Sequence, residues 1–362
     1  MTSPGPAPAP LPAPTFEDVL AARRRLEAHL APTPLRENAP LSRLVGARVF
    51  VKHENLQPTG AFKVRGGINL VAELPPAVRA RGLIAASTGN HGQSIAYAAR
   101  LFGARATICM PEDANPLKAE AIRDLGAEIV VHGRDFDDAR EHCERLAVER
   151  RHRYVHSGDE PLLIAGVATA ALEALEVLPD ADLLLVPVGG GTGAAGACLV
   201  AKAWRRHPVR VIGVQSASAP AAWRSWREGR VVEDVMGTSA EGLATRLGFE
   251  LPQRILRESL DDFVLVSEEE LLDATRRMIE ATRTLVEPAG AAPLAGALRL
   301  GARLGAERVI LVCSGANIRP AQLLDVLGRA PAAAAPDAAR TRPGAAGRDA
   351  RAPAAPPEPR PA

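Results

Sequence analysis

From Leu83 onward the chain alternates short apolar runs with longer stretches whose apolar residues recur at helical spacing. The first series predicts strands over Leu83 to Ala86, Ala106 to Met110 and Glu128 to His132, separated by helices over Asn90 to Phe102, Pro116 to Leu125 and Phe136 to Arg150. In the last of these helices Phe136, Ala139, Cys143, Leu146 and Ala147 share one face, which gives Cys143 a place in the core. A second series predicts helix Leu163 to Val177, strand Leu183 to Val188, helix Thr192 to Arg206 and strand Val209 to Gln215. After a less regular region around Gly237 to Gly248 come strand Phe263 to Val266, helices Glu268 to Leu285 and Ala289 to Leu304, strand Val309 to Cys313 and a last helix from Arg319. Strands alternating with helices imply an α/β fold with parallel strands joined by crossovers. Leu183 to Val188 is apolar throughout, as a strand covered on both faces must be, and is expected near the middle of the larger sheet. Upstream, Thr15 caps a helix running to about His29, and Pro32 and Pro34 follow it. A strand over Arg48 to His53 then leads into a helix that carries Lys63 and is closed by Pro75 and Pro76.

At 362 residues the chain is long enough for two lobes. The expected division is a large domain over 16–82 and 156–328, with a small mobile domain over 83–155 inserted in it. The tails, 1–15 and the Ala-, Pro- and Arg-rich 329–362, are expected to be disordered, with no second folded region after the body of the chain. Hydrophobic residues make up 47% and aromatics only 3%, so the core is aliphatic. A net charge of +2 without a basic block argues against nucleic acid or an anionic membrane surface as partner. No apolar run approaches the roughly 18 to 20 residues needed to span a bilayer. Met1 to Thr15 lacks the basic start and apolar run of a signal peptide, so a cytoplasmic protein is expected. Cys109, Cys143, Cys198 and Cys313 are widely spaced and form no Cys-x-x-Cys pair, which makes them reduced core residues and leaves no sequence pattern for a metal.

Candidate chemistry sits at predicted strand ends, where open α/β sheets bind ligands. Glu54 to Gly67 contains Pro58-Thr59-Gly60-Ala61-Phe62-Lys63, which sets the lysine on the first turn of a helix beyond a rigid corner. Desolvation there lowers an amine's pKa and makes it a nucleophile or base. Gly189-Gly190-Gly191-Thr192-Gly193-Ala194-Ala195-Gly196 follows the apolar strand and opens a helix, a place where free N–H groups favour a phosphate. The same glycines satisfy the dinucleotide pattern and leave an NAD(P) oxidoreductase as a rival, although the next strand ends in Gln215-Ser216 without the acid that pattern expects. Ser87-Thr88-Gly89-Asn90-His91-Gly92 enters a helix with hydroxyls and N–H groups suited to a carboxylate, or to ordinary capping. Cys313-Ser314-Gly315-Ala316-Asn317 ends another strand.

Taken together, these four stretches resemble the fold-type II pyridoxal-phosphate enzymes, a two-lobe fold like that of tryptophan synthase β, and within them the threonine/serine dehydratases and serine racemases. The resemblance runs from about Thr33 to Leu327. It implies pyridoxal 5'-phosphate joined covalently to Lys63, with Phe62 beside the ring, Asn90 bonded to the ring hydroxyl and Ser314 at the ring nitrogen. It further implies that Gly189, Gly190, Gly191, Thr192 and Gly193 hold the cofactor phosphate, and that Ser87, Thr88, Asn90 and His91 receive the substrate carboxylate. The activity implied is β-elimination from L-threonine, L-serine or a related β-hydroxy amino acid to a 2-oxo acid and ammonia, in a homodimer.

Departures from the family pattern bear on these expectations. Thr192 replaces a usual glycine and Ala316 another, and neither change removes a backbone N–H. Serine racemases carry a serine where this chain has Thr88, so racemisation stays open as an alternative, with Thr88 the group on the opposite face from Lys63. Gln215 and Ala221 stand where metal-dependent members have acids, so no divalent cation is expected there. Glu287-Pro288-Ala289-Gly290 matches a family segment near the ring and equally reads as an ordinary helix start. A catalytically silent amino-acid-binding relative is the remaining rival.

Overall fold

Thr15 caps the first helix, α1 (Phe16–Leu26), through a reciprocal box in which its hydroxyl accepts from the Asp18 N–H and the Asp18 carboxylate accepts from the Thr15 N–H. The computed structural model describes residues 11–329, so the expectations for the tails fall outside it at 1–10 and 330–362. After α1 come β1 (Leu35–Glu37), α2 (Ala39–Val45) and β2 (Arg48–His53), then a 3-10 turn over Glu54–Leu56, α3 (Lys63–Glu73) and α4 (Pro76–Arg81). The pattern did not announce β1, α2 or α4. β1 spans only three residues, two of them exposed, and exists by pairing antiparallel with β2 at the sheet edge. Pro76 does not merely end α3, because it is also the first residue of α4, where a missing N–H costs nothing.

A first sheet follows: β3 (Leu83–Ala86), α5 (Asn90–Leu101), β4 (Ala106–Met110), α6 (Pro116–Asp124), β5 (Glu128–Val131), α7 (Phe136–Arg150) and β6 (Arg153–Tyr154). Its order is β5-β4-β3-β6 and every pairing in it is parallel. Ala139, Cys143, Leu146 and Ala147 of α7 are buried on one face, as their spacing predicted, and Cys143 packs with Cys109 of β4. All four cysteines are free and buried.

The second sheet draws on both ends of the described chain. It adds α8 (Pro161–Val177), β7 (Leu183–Pro187), α9 (Thr192–Ala203), β8 (Arg210–Ser216), α10 (Ala221–Glu228), α11 (Glu250–Ser259), β9 (Asp262–Val266), α12 (Glu268–Thr282), α13 (Pro288–Leu300), β10 (Arg308–Cys313) and α14 (Pro320–Gly328). The order β1-β2-β10-β7-β8-β9 puts β7 in the interior, where its unbroken apolar run belongs. Alternate residues serve opposite faces: Leu184 and Val186 join the core that includes Ala168 and Leu172 of α8, while Leu183 and Leu185 join the core that includes Leu294 of α13. Two helices here, α10 and α11, lie in sequence left unassigned by periodicity, on either side of the irregular 229–249 segment. α12 ends at Thr282, short of Leu285, because Arg283 turns into the left-handed region at φ +57°.

Candidate active site

Helix starts build the site. α3 begins at Lys63, α5 at Asn90, α9 at Thr192 and α13 at Pro288, just after Glu287, and residues from all of these starts line one cavity. Unpaired N–H groups and partial positive charge at a helix N-terminus favour anions, so a cavity ringed by several of them suits phosphate and carboxylate groups.

The turn that delivers Lys63 is locked to the end of β10. Phe62 N–H donates to the Ser314 carbonyl at 3.0 Å, Ala316 N–H to the Gly60 carbonyl at 2.8 Å, and the Asn317 amide to the Thr59 carbonyl at 2.9 Å. Gly60 sits at φ +65°, and a Cβ there would come within 2.7 Å of Asn317 Oδ1, so only glycine fits this corner. The Lys63 amine emerges into the cavity and donates to Thr192 Oγ1 at 2.8 Å and to the Ser157 carbonyl at 3.3 Å. Burial lowers its pKa from 10.5 to about 8. With small molecules removed, an amine-directed reagent should therefore modify Lys63 with a midpoint near pH 8, well below the 10.5 of an ordinary lysine. Peptide mass spectrometry after labelling across pH measures this, and a midpoint above about pH 10, the range of a free lysine, would contradict it.

Gly189 to Gly193 line the same cavity, and Gly191 adopts φ +90° as it caps α9. Phe62, Thr88, Asn90, His91 and Ser314 line the same cavity. Ser87 Oγ accepts from the Gly89 and Gly92 N–H groups at 3.0 and 2.8 Å, so it caps the entry to α5 and keeps its own proton to donate. Asn90 is held at both ends: its Nδ2 donates to Glu287 Oε1 at 2.7 Å and its Oδ1 accepts from Asn317 Nδ2 at 2.8 Å. His91 is buried, with Nε2 3.5 Å from the Val155 carbonyl and Nδ1 without a partner. Burial, then the nearby Lys63 charge, pushes His91 down to about 3, so its ring is neutral at working pH. Gln215 accepts from the Trp223 N–H at 2.9 Å instead of facing this cavity.

Other residues of the cavity carry no motif. Lys118, Phe136, Ser157, Glu241, Thr245 and Phe249 reach it from α6, α7 and irregular segments, and Glu287 proves to be both a helix start and a cavity residue. Only the Glu287-Pro288 pair had a sequence signal.

Behind the Lys63 turn lies a buried ionic cluster. Arg65 donates to Glu54 through Nε and Nη2 at 2.7 and 2.8 Å, and to Glu173 of α8 through Nη1 and Nη2, both at 2.7 Å. Lys52 donates to Glu173 at 2.6 Å and to the Thr33 carbonyl at 2.8 Å. Glu54 precedes the turn and Arg65 follows it, so this pairing clamps the segment that contains Lys63. Burial would raise the Glu54 carboxyl, yet Arg65, with Lys52 and Thr33, holds it at about 2 against an ordinary 4.5.

Residues 26–315 match the protein family described as pyridoxal-phosphate dependent enzyme. An L-threonine ammonia-lyase of Geobacter sulfurreducens is 41% identical over 295 residues, covering 81% of this chain and 73% of that protein. An L-threo-3-hydroxyaspartate ammonia-lyase of Saccharomyces cerevisiae is 36% identical over 306 residues, covering 84% of this chain and 94% of that protein. Among solved structures, a threonine deaminase from T.th. superposes with a TM-score of 0.79 at 38% identity, covering 84% of this chain and 99% of that one.

Proposed function

This chain belongs to the pyridoxal-phosphate-dependent enzyme family, and from that premise we propose that it is an ammonia-lyase acting on L-threonine, L-serine or a close β-hydroxy amino acid. The observation that carries the reading is the buried Lys63 amine, its proton affinity lowered, hydrogen-bonded to Thr192 at the glycine-rich start of α9 in one cavity. The donor set suits the cofactor: an amine for its aldehyde, glycine N–H groups for its phosphate and an uncharged serine, Ser314, for its ring nitrogen. When bound, pyridoxal phosphate supplies a carbonyl that takes up an amino group and a conjugated ring that withdraws electrons from Cα. The chain's own residues do the rest. Gly189 to Gly193 and Thr192 bind the phosphate, and Phe62 packs beside the ring. Asn90, oriented by Glu287 and Asn317, presents its amide to the ring hydroxyl. Ser87, Thr88, Asn90 and neutral His91 orient the substrate carboxylate at the start of α5. The Lys63 amine would take the proton from Cα of the bound amino acid, for which a pKa near 8 is well matched. Loss of the Cα proton and the β-hydroxyl together as water, and hydrolysis of the resulting free 2-imino acid, would convert the amino acid into a 2-oxo acid and ammonia. Residues 83–155, built on the first sheet, act as a small domain that closes over substrate and excludes water. The same reading carries a homodimer and a cytoplasmic location. Among the described residues no helix is long and apolar enough to cross a membrane.

The test is 2-oxo acid and ammonia release from a panel of L-threonine, L-serine, D-serine and threo-3-hydroxyaspartate. Equal amounts of both products from L-threonine or L-serine are expected, and release from none of them by cofactor-loaded protein would overturn the assignment in favour of a silent binding relative. A chiral assay on the same reactions measures any inversion through Thr88. An oxidoreductase is disfavoured by the lysine aimed at the glycine turn, and a colourless protein that binds nicotinamide nucleotides would restore it.

A further inference from the structure

The cavity contains a charge arrangement of which only Glu287, through Asn90, has a role above. Lys118 of α6 is 4% exposed, and its amine donates to Glu241 Oε2 at 2.6 Å and lies 3.5 Å from Glu287 Oε2. The other Glu241 oxygen accepts from Arg319 Nε at 2.5 Å, and the other Glu287 oxygen accepts from Asn90. Each oxygen of the two carboxylates thus faces a donor, and Lys118 is shared between them. Burial weakens the hold of Lys118 on its proton, but Glu287 and Glu241 more than offset this and keep the amine charged.

From this geometry we infer that Glu241, by holding Lys118, restricts the enzyme to β-hydroxy amino acids whose side chain carries no charge, and excludes dicarboxylic ones. The inference rests on the ammonia-lyase reading for the placement of substrate. With the α-carboxylate at the start of α5 and the amino group toward Lys63, the β-substituent is left to face the remaining wall of Phe136, Glu241, Thr245 and Phe249. Among the described residues that wall offers aromatic rings, one hydroxyl and a carboxylate, and the cations next to it, Lys118 and Arg319, are both engaged by Glu241. A second carboxylate needs a cation, and the basic residues lining the cavity are Lys63, His91 and Lys118. Lys63 is committed to the cofactor, His91 is neutral, and Lys118 already answers Glu241 and Glu287. An acidic side chain would meet Glu241 and Glu287, whose cations, Lys118 and Arg319, are already engaged, and a carboxylate left without a cation beside other carboxylates is rejected more strongly than by lost contacts alone.

Removing one partner at a time has opposite consequences. Glu241→Gln leaves Lys118 to Glu287 alone and removes one negative charge, so discrimination should narrow. Lys118→Met leaves both glutamates without their shared cation, so discrimination should widen. A purely structural lesion would weaken both ligands alike and leave their ratio unchanged. The holoenzyme and both variants are assayed for kcat/KM on L-threonine and L-threo-3-hydroxyaspartate. They are also assayed by calorimetry for binding of L-2-aminobutyrate and L-aspartate, which have no β-hydroxyl to lose. We expect the native enzyme to favour the uncharged member of each pair by about 100-fold, with Glu241→Gln closing that gap by about tenfold, chiefly through KM. Equal preference in the native enzyme, or a binding ratio that neither variant moves, would overturn the filter. If binding discriminates as expected but neither hydroxy amino acid yields a 2-oxo acid, the lyase reading falls while the filter stands.

Discussion

Lys63→Ala should abolish the visible absorbance of the purified protein and lower 2-oxo acid formation by about 10³-fold or more, the scale on which loss of a positioned acid-base group is felt, with loss of the covalent anchor added to it. The Lys63 amine donates to the Thr192 hydroxyl and the Ser157 carbonyl, and neither of these groups can condense with an aldehyde to an imine. Lys118, the other lysine that lines the cavity, is held by two carboxylates and keeps its proton, so it is a poor nucleophile. Borohydride treatment of native protein followed by peptide mass spectrometry should place the fixed cofactor on Lys63. Because α3 is held by packing and by Arg65, the alanine variant should retain nearly native thermal stability once cofactor-free forms are compared. Retention of the chromophore in Lys63→Ala, or its fixation on another residue, would remove the foundation of the assignment.

Arg65→Met should destabilise the fold by about 3 to 5 kcal/mol, the usual cost of stripping a partner from a buried ion pair. The reason is the geometry behind the active-site turn: Glu54 and Glu173, both buried, would be left with Lys52 between them and, for Glu173 alone, Arg23 at 3.7 Å. Pairing Arg65→Met with Glu54→Leu removes one charge of each sign and leaves the 2.6 Å contact of Lys52 with Glu173 intact. The double variant should therefore recover at least half of the loss in denaturant unfolding, a recovery that simple loss of packing volume would not produce. The pH dependence follows from Glu54. Its carboxyl is depressed to about 2 in the fold against 4.5 ordinarily, so the stability it contributes is fully present above about pH 4.5 and disappears as pH falls toward 2. Glu54→Gln should flatten the acid limb of the stability profile in that window. An unchanged limb would show that the cluster does not govern acid unfolding.

Local sequence carried the chemistry that depends on backbone shape. Lys63, the glycines at 189–193, Ser87 to His91 and Ser314 all stand at strand ends or helix starts, close to glycine or proline, where the chain must turn and where helix N-termini expose N–H groups. Such positions are legible because the turn and its residues are adjacent in sequence. The edge strand β1 and helices α10 and α11 escaped because their form depends on what they pack against. β1 has β2 to define it, and the helices flank an irregular segment pinned by the bridge between Glu233 and Leu247.

What the sequence determined by itself was the run of parallel strands, the aliphatic core and the four stretches whose company identifies a pyridoxal-phosphate site. Only the tertiary structure joined Arg65 to Glu173, 108 residues apart, and Lys118 to Glu241, 123 apart. A charged residue on a helix looks the same in sequence whether its partner is water or a buried carboxylate, because an ion pair leaves no periodicity behind. Folding alone decides which charges meet.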